Sequence, residues 1–273
     1  MNESLEINIA DIIKRKSGRN LPQWQTRLIE RLIHQDEINY ILRTYGHLDG
    51  VQFMEALIEY FQVDIGWERE DRLPTSHGRY IFACNHPLGA FDGICLSYLL
   101  GRKYGDVRYV VNDLLFHLKP LQSIFVPVNK LGAQKRESIQ RMHEVLMGDL
   151  PVGTFPAGIC SRFINGRIQD MAWQKSFVNH AITYRRDIVP LHFVGRNSIH
   201  FYQIELIRKL FSLKFNVGSA LLPDEMFRSK RKNYKVIVGE PIPWQSLKES
   251  GEKPIDIAAR IRDISYKLRT QSK

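Results

Sequence analysis

Apolar positions in the first seventy residues recur at helical spacing. Leu21, Trp24, Leu28, Leu32 and Ile33 follow one near-helical stripe, and Pro22 is tolerable there only in a first turn. Phe53, Ala56, Leu57 and Tyr60 repeat the period after turn residues 46–50. A charged and then turn-forming stretch over 67–78 places a boundary near residue 75. The expected organisation is an N-terminal helical region, 1–75, followed by a domain over 76–273.

Beyond that boundary the period shortens. Apolar, β-rich runs at 80–84, 107–111, 124–128, 152–155, 188–193 and 234–238 alternate with helical stretches at 93–99, 134–147 and 173–184. Such alternation predicts an α/β fold: a mostly parallel central sheet flanked by helices, with an N-terminal helical extension. Pro254 followed by Ile257, Ile261, Ile264 and Leu268 predicts a C-terminal amphipathic helix. No internal repeat or low-complexity tract is present.

Composition adds three constraints. With 44% hydrophobic residues in 273, the chain has material for a sizeable core. No apolar run reaches 18 residues, so no transmembrane span is expected, and the first thirteen residues do not read as a secretory leader. Cys84, Cys95 and Cys160 are odd in number and lack metal-type spacing, which predicts buried, reduced thiols.

The net charge of +10 is unevenly spread: residues 196–273 hold 16 lysines and arginines against 8 acids. A concentrated basic surface suits phospholipid headgroups, an acidic carrier protein or nucleic acid. No recognised nucleic-acid module accompanies it, so none is expected as partner. Residues 200–215 interleave aliphatics and aromatics, Phe211 and Phe215 among them, with Arg208, Lys209 and Lys214. They fit either an interfacial helix or an ordinary core helix with exposed cations. The basic run 228–232 fits a solvated turn or a contact with lipid or an acidic carrier.

The chemistry concentrates after the first of these strands. His86 lies just past its end in a Pro/Gly-containing loop, at the usual site-bearing edge of a parallel sheet. Asp92 is near enough for its carboxylate to hold one imidazole nitrogen, leaving the other to take a proton from a hydroxyl. A helix N-cap role for Asp92 is the plainer alternative. Phe155-Pro156-Ala157-Gly158-Ile159-Cys160-Ser161-Arg162 follows a second strand and ends in a hydroxyl and a cation. Ile124 to Lys130 places a cation after a third, and Ile188-Val189-Pro190-Leu191 forms a fourth.

In order and spacing these four blocks resemble the glycerolipid acyltransferase superfamily, which includes lysophosphatidic acid acyltransferases. The resemblance covers roughly 76–245. Asn85-His86-Pro87-Leu88-Gly89, Phe155-Pro156-Ala157-Gly158 and Gly195-Arg196-Asn197-Ser198 resemble most a bacterial branch often labelled hemolysins, whose relatives acylate the hydroxyl of ornithine- or glycine-type lyso-aminolipids. Two departures stand out. Five residues separate His86 from Asp92 where four are usual, and Ala157 occupies a position generally held by glutamate, which points to a different acceptor headgroup.

The resemblance implies direct acyl transfer to a lipid hydroxyl from an acyl-carrier-protein or coenzyme A thioester, with no cofactor. His86 would act as base and Asp92 as its orienting partner. Arg162 and Lys130 would meet the acceptor's anion, and the Gly158–Ser161 loop would border the substrate, with backbone N–H groups near Gly158 as oxyanion donors. The implied location is peripheral, on the cytoplasmic face of the inner membrane. A lipid hydrolase, a 1-acylglycerol-3-phosphate acyltransferase and a non-catalytic lipid-binding protein remain the competing readings.

Overall fold

A computed structural model describes residues 6–18, 20–75, 78–112, 119–128, 133–210 and 217–270. Four helices open the chain: α1 (Ile9–Ser17), α2 (Gln23–Leu32), α3 (Gln35–Tyr45) and α4 (Gly50–Phe61). Pro22 takes the N-cap of α2, where its missing N–H costs nothing. Asn8 caps α1 by accepting the Asp11 N–H, and Gly18 ends it in a left-handed conformation.

The strands are β1 (Asp64–Glu68), β2 (Tyr80–Cys84), β3 (Arg108–Asn112), β4 (Phe125–Val128), β5 (Val152–Thr154), β6 (Arg162–Ile164), β7 (Arg167–Gln169), β8 (Asp187–Val194) and β9 (Asn233–Val238). Among the described residues the further α-helices are α5 (Ala90–Tyr104), α6 (Ala133–Met147), α7 (Ser176–Tyr184), α8 (Ile199–Leu210), α9 (Val217–Phe227), α10 (Trp244–Glu249) and α11 (Pro254–Thr270). Seven strands form one sheet in the order β1-β9-β8-β2-β5-β3-β4, with every pairing parallel except β8–β9. The fold is therefore α/β with a mostly parallel central sheet, as the alternation predicted.

Strand alternation divides the core into two layers. Phe82 and Cys84 face one side with Phe53, Leu57 and Phe61 of α4 and Phe91, Leu96 and Leu100 of α5. Ile81 and Ala83 face the other with Phe177 and Val178 of α7 and Ile257 and Ile261 of α11. Helices α4 and α5 touch closely at Gly101, where a Cβ would sit 2.3 Å from Val51.

Two pieces were not among the expected elements. Residues 64–68, on the N-terminal side of the expected boundary, supply the edge strand β1, and α4 belongs to the main core, so the sheet takes in part of region 1–75. The hairpin β6–β7 turns on Asn165 and Gly166, both at positive φ (50° and 75°). That geometry suits an Asn-Gly two-residue turn.

Candidate active site

β2 ends at Cys84, and Asn85 continues its pairing through its side chain. The Asn85 carboxamide oxygen accepts the Phe193 N–H of β8 at 2.6 Å, and its NH₂ donates to the Phe193 carbonyl at 3.1 Å. The start of the loop is thereby tied to the neighbouring strand. Gly89, at φ +80°, reverses the chain beneath Leu222 of α9, and a Cβ there would lie 2.7 Å from that side chain. Both the conformation and the space call for glycine. α5 then begins, with Asp92 in its first turn.

Asp92 is fully buried. Its Oδ2 accepts the Leu88 N–H at 2.8 Å, and its Oδ1 lies 2.9 Å from His86 Nδ1. The Asp92 carboxylate thus closes the five-residue spacer onto His86 and also holds its interior through the Leu88 N–H. The Nδ1–Oδ1 approach is bent, and neither atom has another aligned partner among the described residues.

Phe155 stacks on the imidazole with centroids 4.2 Å apart and planes at 21°. Tyr109 extends the stack at 6.1 Å, and Gly153 admits it, since a Cβ there would meet the Tyr109 ring at 2.3 Å. One face of the imidazole is thus closed and its plane fixed, while the side chain keeps 17% exposure.

A second carboxylate completes the support. Asp170 follows β7, is 1% exposed, and accepts the His86 N–H (3.2 and 3.3 Å), the Ser161 hydroxyl (2.6 Å) and the Trp173 Nε1–H (2.9 Å). The Ser161 N–H in turn donates to the His86 carbonyl at 2.7 Å. The backbone of His86 is therefore pinned through both its N–H and its C=O.

Burial is the largest single influence and works against a charged His86, as does Arg162, but the carboxylates of Asp92, beside Nδ1, and Asp170 together outweigh them. The net effect raises the imidazole pKa above its ordinary value. Burial likewise pushes the Asp170 carboxyl up, against the pull of its three donors.

Of the residues singled out in the sequence, His86 and Asp92 meet. Ser161 is 2% exposed and its hydroxyl is committed to Asp170. Arg162 lies within electrostatic reach of His86, but its Nε is 3.2 Å from Glu205 of α8 and its Nη1 donates to the Cys160 carbonyl at 3.0 Å. Gly158 turns the loop at φ +71°, and its N–H donates to the Phe155 carbonyl at 2.9 Å, so that donor is already engaged. Lys130 lies outside the described residues, as do Phe211, Lys214 and Phe215.

The three thiols are buried and unpaired. Burial pushes Cys84 well up and Cys160 to about 11, which keeps both protonated and poorly nucleophilic. Sequence reasoning missed Asn85 and Asp170 as supports. Asn85 was legible as a polar residue closing an apolar strand. Asp170 stands between Gln169 and Met171 with no pattern that separates it from a surface acid.

What this arrangement can do is draw a proton from a hydroxyl with a half-buried, oriented imidazole. On an α/β sheet such a site suits a group-transfer enzyme that acts on a hydroxyl. The chain belongs to a family whose model is described as "Acyltransferase" and matches residues 12–271, and the protein is an acyltransferase. It is 39% identical over 266 residues to a lyso-glycine lipid O-acyltransferase from Phocaeicola vulgatus, covering 96% of this chain and 95% of that protein. A protein of the same name from Bacteroides thetaiotaomicron is also 39% identical over 266 residues, covering 96% and 97%. The crystal structure of the 1-acyl-sn-glycerophosphate acyltransferase PlsC from Thermotoga maritima shares the fold. Its TM-score is 0.52 and its identity 11%, over 89% of this chain and 95% of that one.

Proposed function

We propose that this acyltransferase esterifies the hydroxyl of a lyso-glycine lipid with an acyl group from an acyl-carrier-protein or coenzyme A thioester. The observation that carries the mechanism is the buried Asp92 carboxylate 2.9 Å from His86 Nδ1, which leaves Nε2 as the nitrogen for the acceptor. The acceptor oxygen attacks the thioester carbonyl carbon as its proton passes to Nε2. The tetrahedral intermediate then expels the thiolate, which takes that proton back; one C–O bond forms and one C–S bond breaks. A positioned base contributes on the order of 10²–10⁴-fold. The glycine-lipid acceptor is supported by the two relatives' names and by Ala157, buried at 7% exposure where the wider superfamily generally carries glutamate.

Among the described residues no helix is long and apolar enough to cross a membrane. We assign lipid access to peripheral docking at the cytoplasmic face. The support is α8, which buries Phe201, Tyr202 and Glu205 yet exposes Ile199, Leu206 and Ile207 at 70, 56 and 52%. A helix that turns its aliphatics outward fits an interfacial surface better than a core one.

The test is acylation of N-(3-hydroxyacyl)glycine by the purified chain with a radiolabelled acyl thioester. Labelled diacylated lipid should form, and a folded His86→Ala protein should lose most turnover. Release of free fatty acid instead would make it a hydrolase, and near-normal transfer by His86→Ala would remove the histidine mechanism.

A further inference from the structure

β8 leaves the sheet beside the His86 loop, and the segment Gly195-Arg196-Asn197-Ser198 joins it to α8. Arg196 and Asn197 follow Phe193, the residue tied to Asn85, by three and four positions. That is a reach of at most about 10 to 14 Å along the chain. A cavity of about 250 Å³ opens here, with Arg196, Asn197 and Lys232 supplying its donors and Ile168, Ile199 and Tyr202 its apolar walls.

The Asn197 side chain is the informative feature. The residue is 5% exposed, and its NH₂ is buried without a hydrogen-bond partner among the described residues. Buried amide donors are rarely left unmatched, so an unmatched one lining a cavity points to an acceptor delivered from outside. The two cations at the rim are exposed, and no carboxylate partner is found for either among the described residues. The nearby Glu225 is already engaged: it accepts the Ser198 N–H at 2.7 Å and the Ser198 hydroxyl. Arg162, by contrast, is held by Glu205 at 3.2 Å.

We infer that this cavity binds the carboxylate of the acceptor's headgroup; the inference rests on the lyso-aminolipid reading above and deepens it. A guanidinium, an ammonium and an amide N–H present donors only, which suits an anion with two acceptor oxygens. The exposed aliphatics of α8 begin at the cavity wall with Ile199 and continue on the same helical face at Leu206 and Ile207. An amphiphile could therefore place its head in the cavity and its chain along α8.

Binding of N-(3-hydroxyhexadecanoyl)glycine and of its uncharged glycinamide counterpart should be compared in micelles of a neutral detergent. The proteins are the full chain and the Arg196→Gln/Lys232→Gln double variant, whose changes lie on the surface. The parent should favour the carboxylate by roughly tenfold or more, the scale of a charge-assisted contact. The double variant should lose that preference while keeping glycinamide binding, melting temperature and donor KM. A preference that survives in the double variant would overturn the site, as would a rise confined to donor KM, which would give the cavity to the donor's phosphates. Should the parent acylate neither compound, the glycine-lipid function fails, while the binding comparison still decides the cavity.

Discussion

Replacing Asp92 with Asn tests the site through one atom. The Asp92 carboxylate faces two groups: the Leu88 N–H, 2.8 Å from Oδ2, and His86 Nδ1, 2.9 Å from Oδ1. An asparagine can place its oxygen towards only one of them. Turning NH₂ towards the Leu88 N–H would oppose two buried donors, at a cost of roughly 1–3 kcal/mol. The oxygen therefore stays with Leu88, and the NH₂ faces Nδ1. Nδ1 must then accept, the ring proton moves to Nε2, and the nitrogen meant to serve as base becomes a donor. Where an aspartate behind a histidine is changed in this way, the loss reaches about 10⁴ in kcat. We expect about 10³–10⁴ here, equivalent to roughly 4–5.5 kcal/mol of barrier.

The pH dependence supplies an independent check on the same variant. In the parent, Asp92 raises the His86 pKa, so acyl transfer should climb with pH through an apparent pKa above the ordinary imidazole value. Without that charge, burial pulls the pKa down, and the acid limb of any residual activity should move to lower pH. Stability follows the same sign. A raised folded pKa stabilises fully below the unfolded value and loses that contribution as pH rises through the folded one. The melting-temperature gap between parent and Asp92→Asn should therefore narrow from pH 5 to pH 9. Steady-state kcat/KM across that range, with circular-dichroism melts alongside, measures both effects. Activity within tenfold of the parent and an unmoved acid limb would refute the reasoning.

Asp170→Asn should keep its oxygen on Trp173 Nε1–H while the Ser161 hydroxyl rotates to accept; stability should fall by about 1–3 kcal/mol. The acid limb should also shift to lower pH, because a negative charge near His86 is lost, and an unshifted pH profile would reduce Asp170 to a structural support. Arg186 is fully buried and donates to the carbonyls of Leu146, Val145, Gly148, Leu150 and Tyr80 around the end of α6. Arg186→Met orphans most of them and should cost roughly 3–5 kcal/mol in urea unfolding, with kcat per folded molecule unchanged. Leu206→Ser combined with Ile207→Ser should weaken sedimentation with anionic vesicles, since each apolar side chain that leaves water contributes up to about 1.5–3 kcal/mol. The melting temperature should hold, and undiminished sedimentation would move docking to another surface.

Much of the sheet was legible because its evidence is local. The parallel strands β2, β3, β4, β5 and β8 are short apolar runs bounded by turn residues, and the sequence pattern located each within a residue or two. β1 was overlooked although Val63, Ile65 and Trp67 alternate with Asp64, Gly66 and Glu68, the period of a half-buried strand; the run is short, lies against the charged stretch that follows, and takes its place at the sheet edge by pairing with β9. α9 holds Pro223 and lacks an apolar stripe, so its helix likewise depends on the surfaces it covers. The Asn165-Gly166 turn was readable in principle, as the residue types alone admit both positive φ angles.

In the site, sequence by itself singled out the candidate pair, His86 and Asp92, which the structure places 2.9 Å apart. A histidine after a strand and an aspartate in the next helical turn lie within one loop, so the chain can bring them together with little help from elsewhere. Tertiary structure decided everything that holds them and everything that could read the acceptor. Asp170 reaches the His86 N–H from 84 residues away, Phe193 meets Asn85 from 108 residues away, and Glu205 of α8 claims the charge of Arg162 on β6. Which cations remain for a substrate follows from which carboxylates have already closed on the others. That is a property of packing between distant segments, so no local run of residues encodes it.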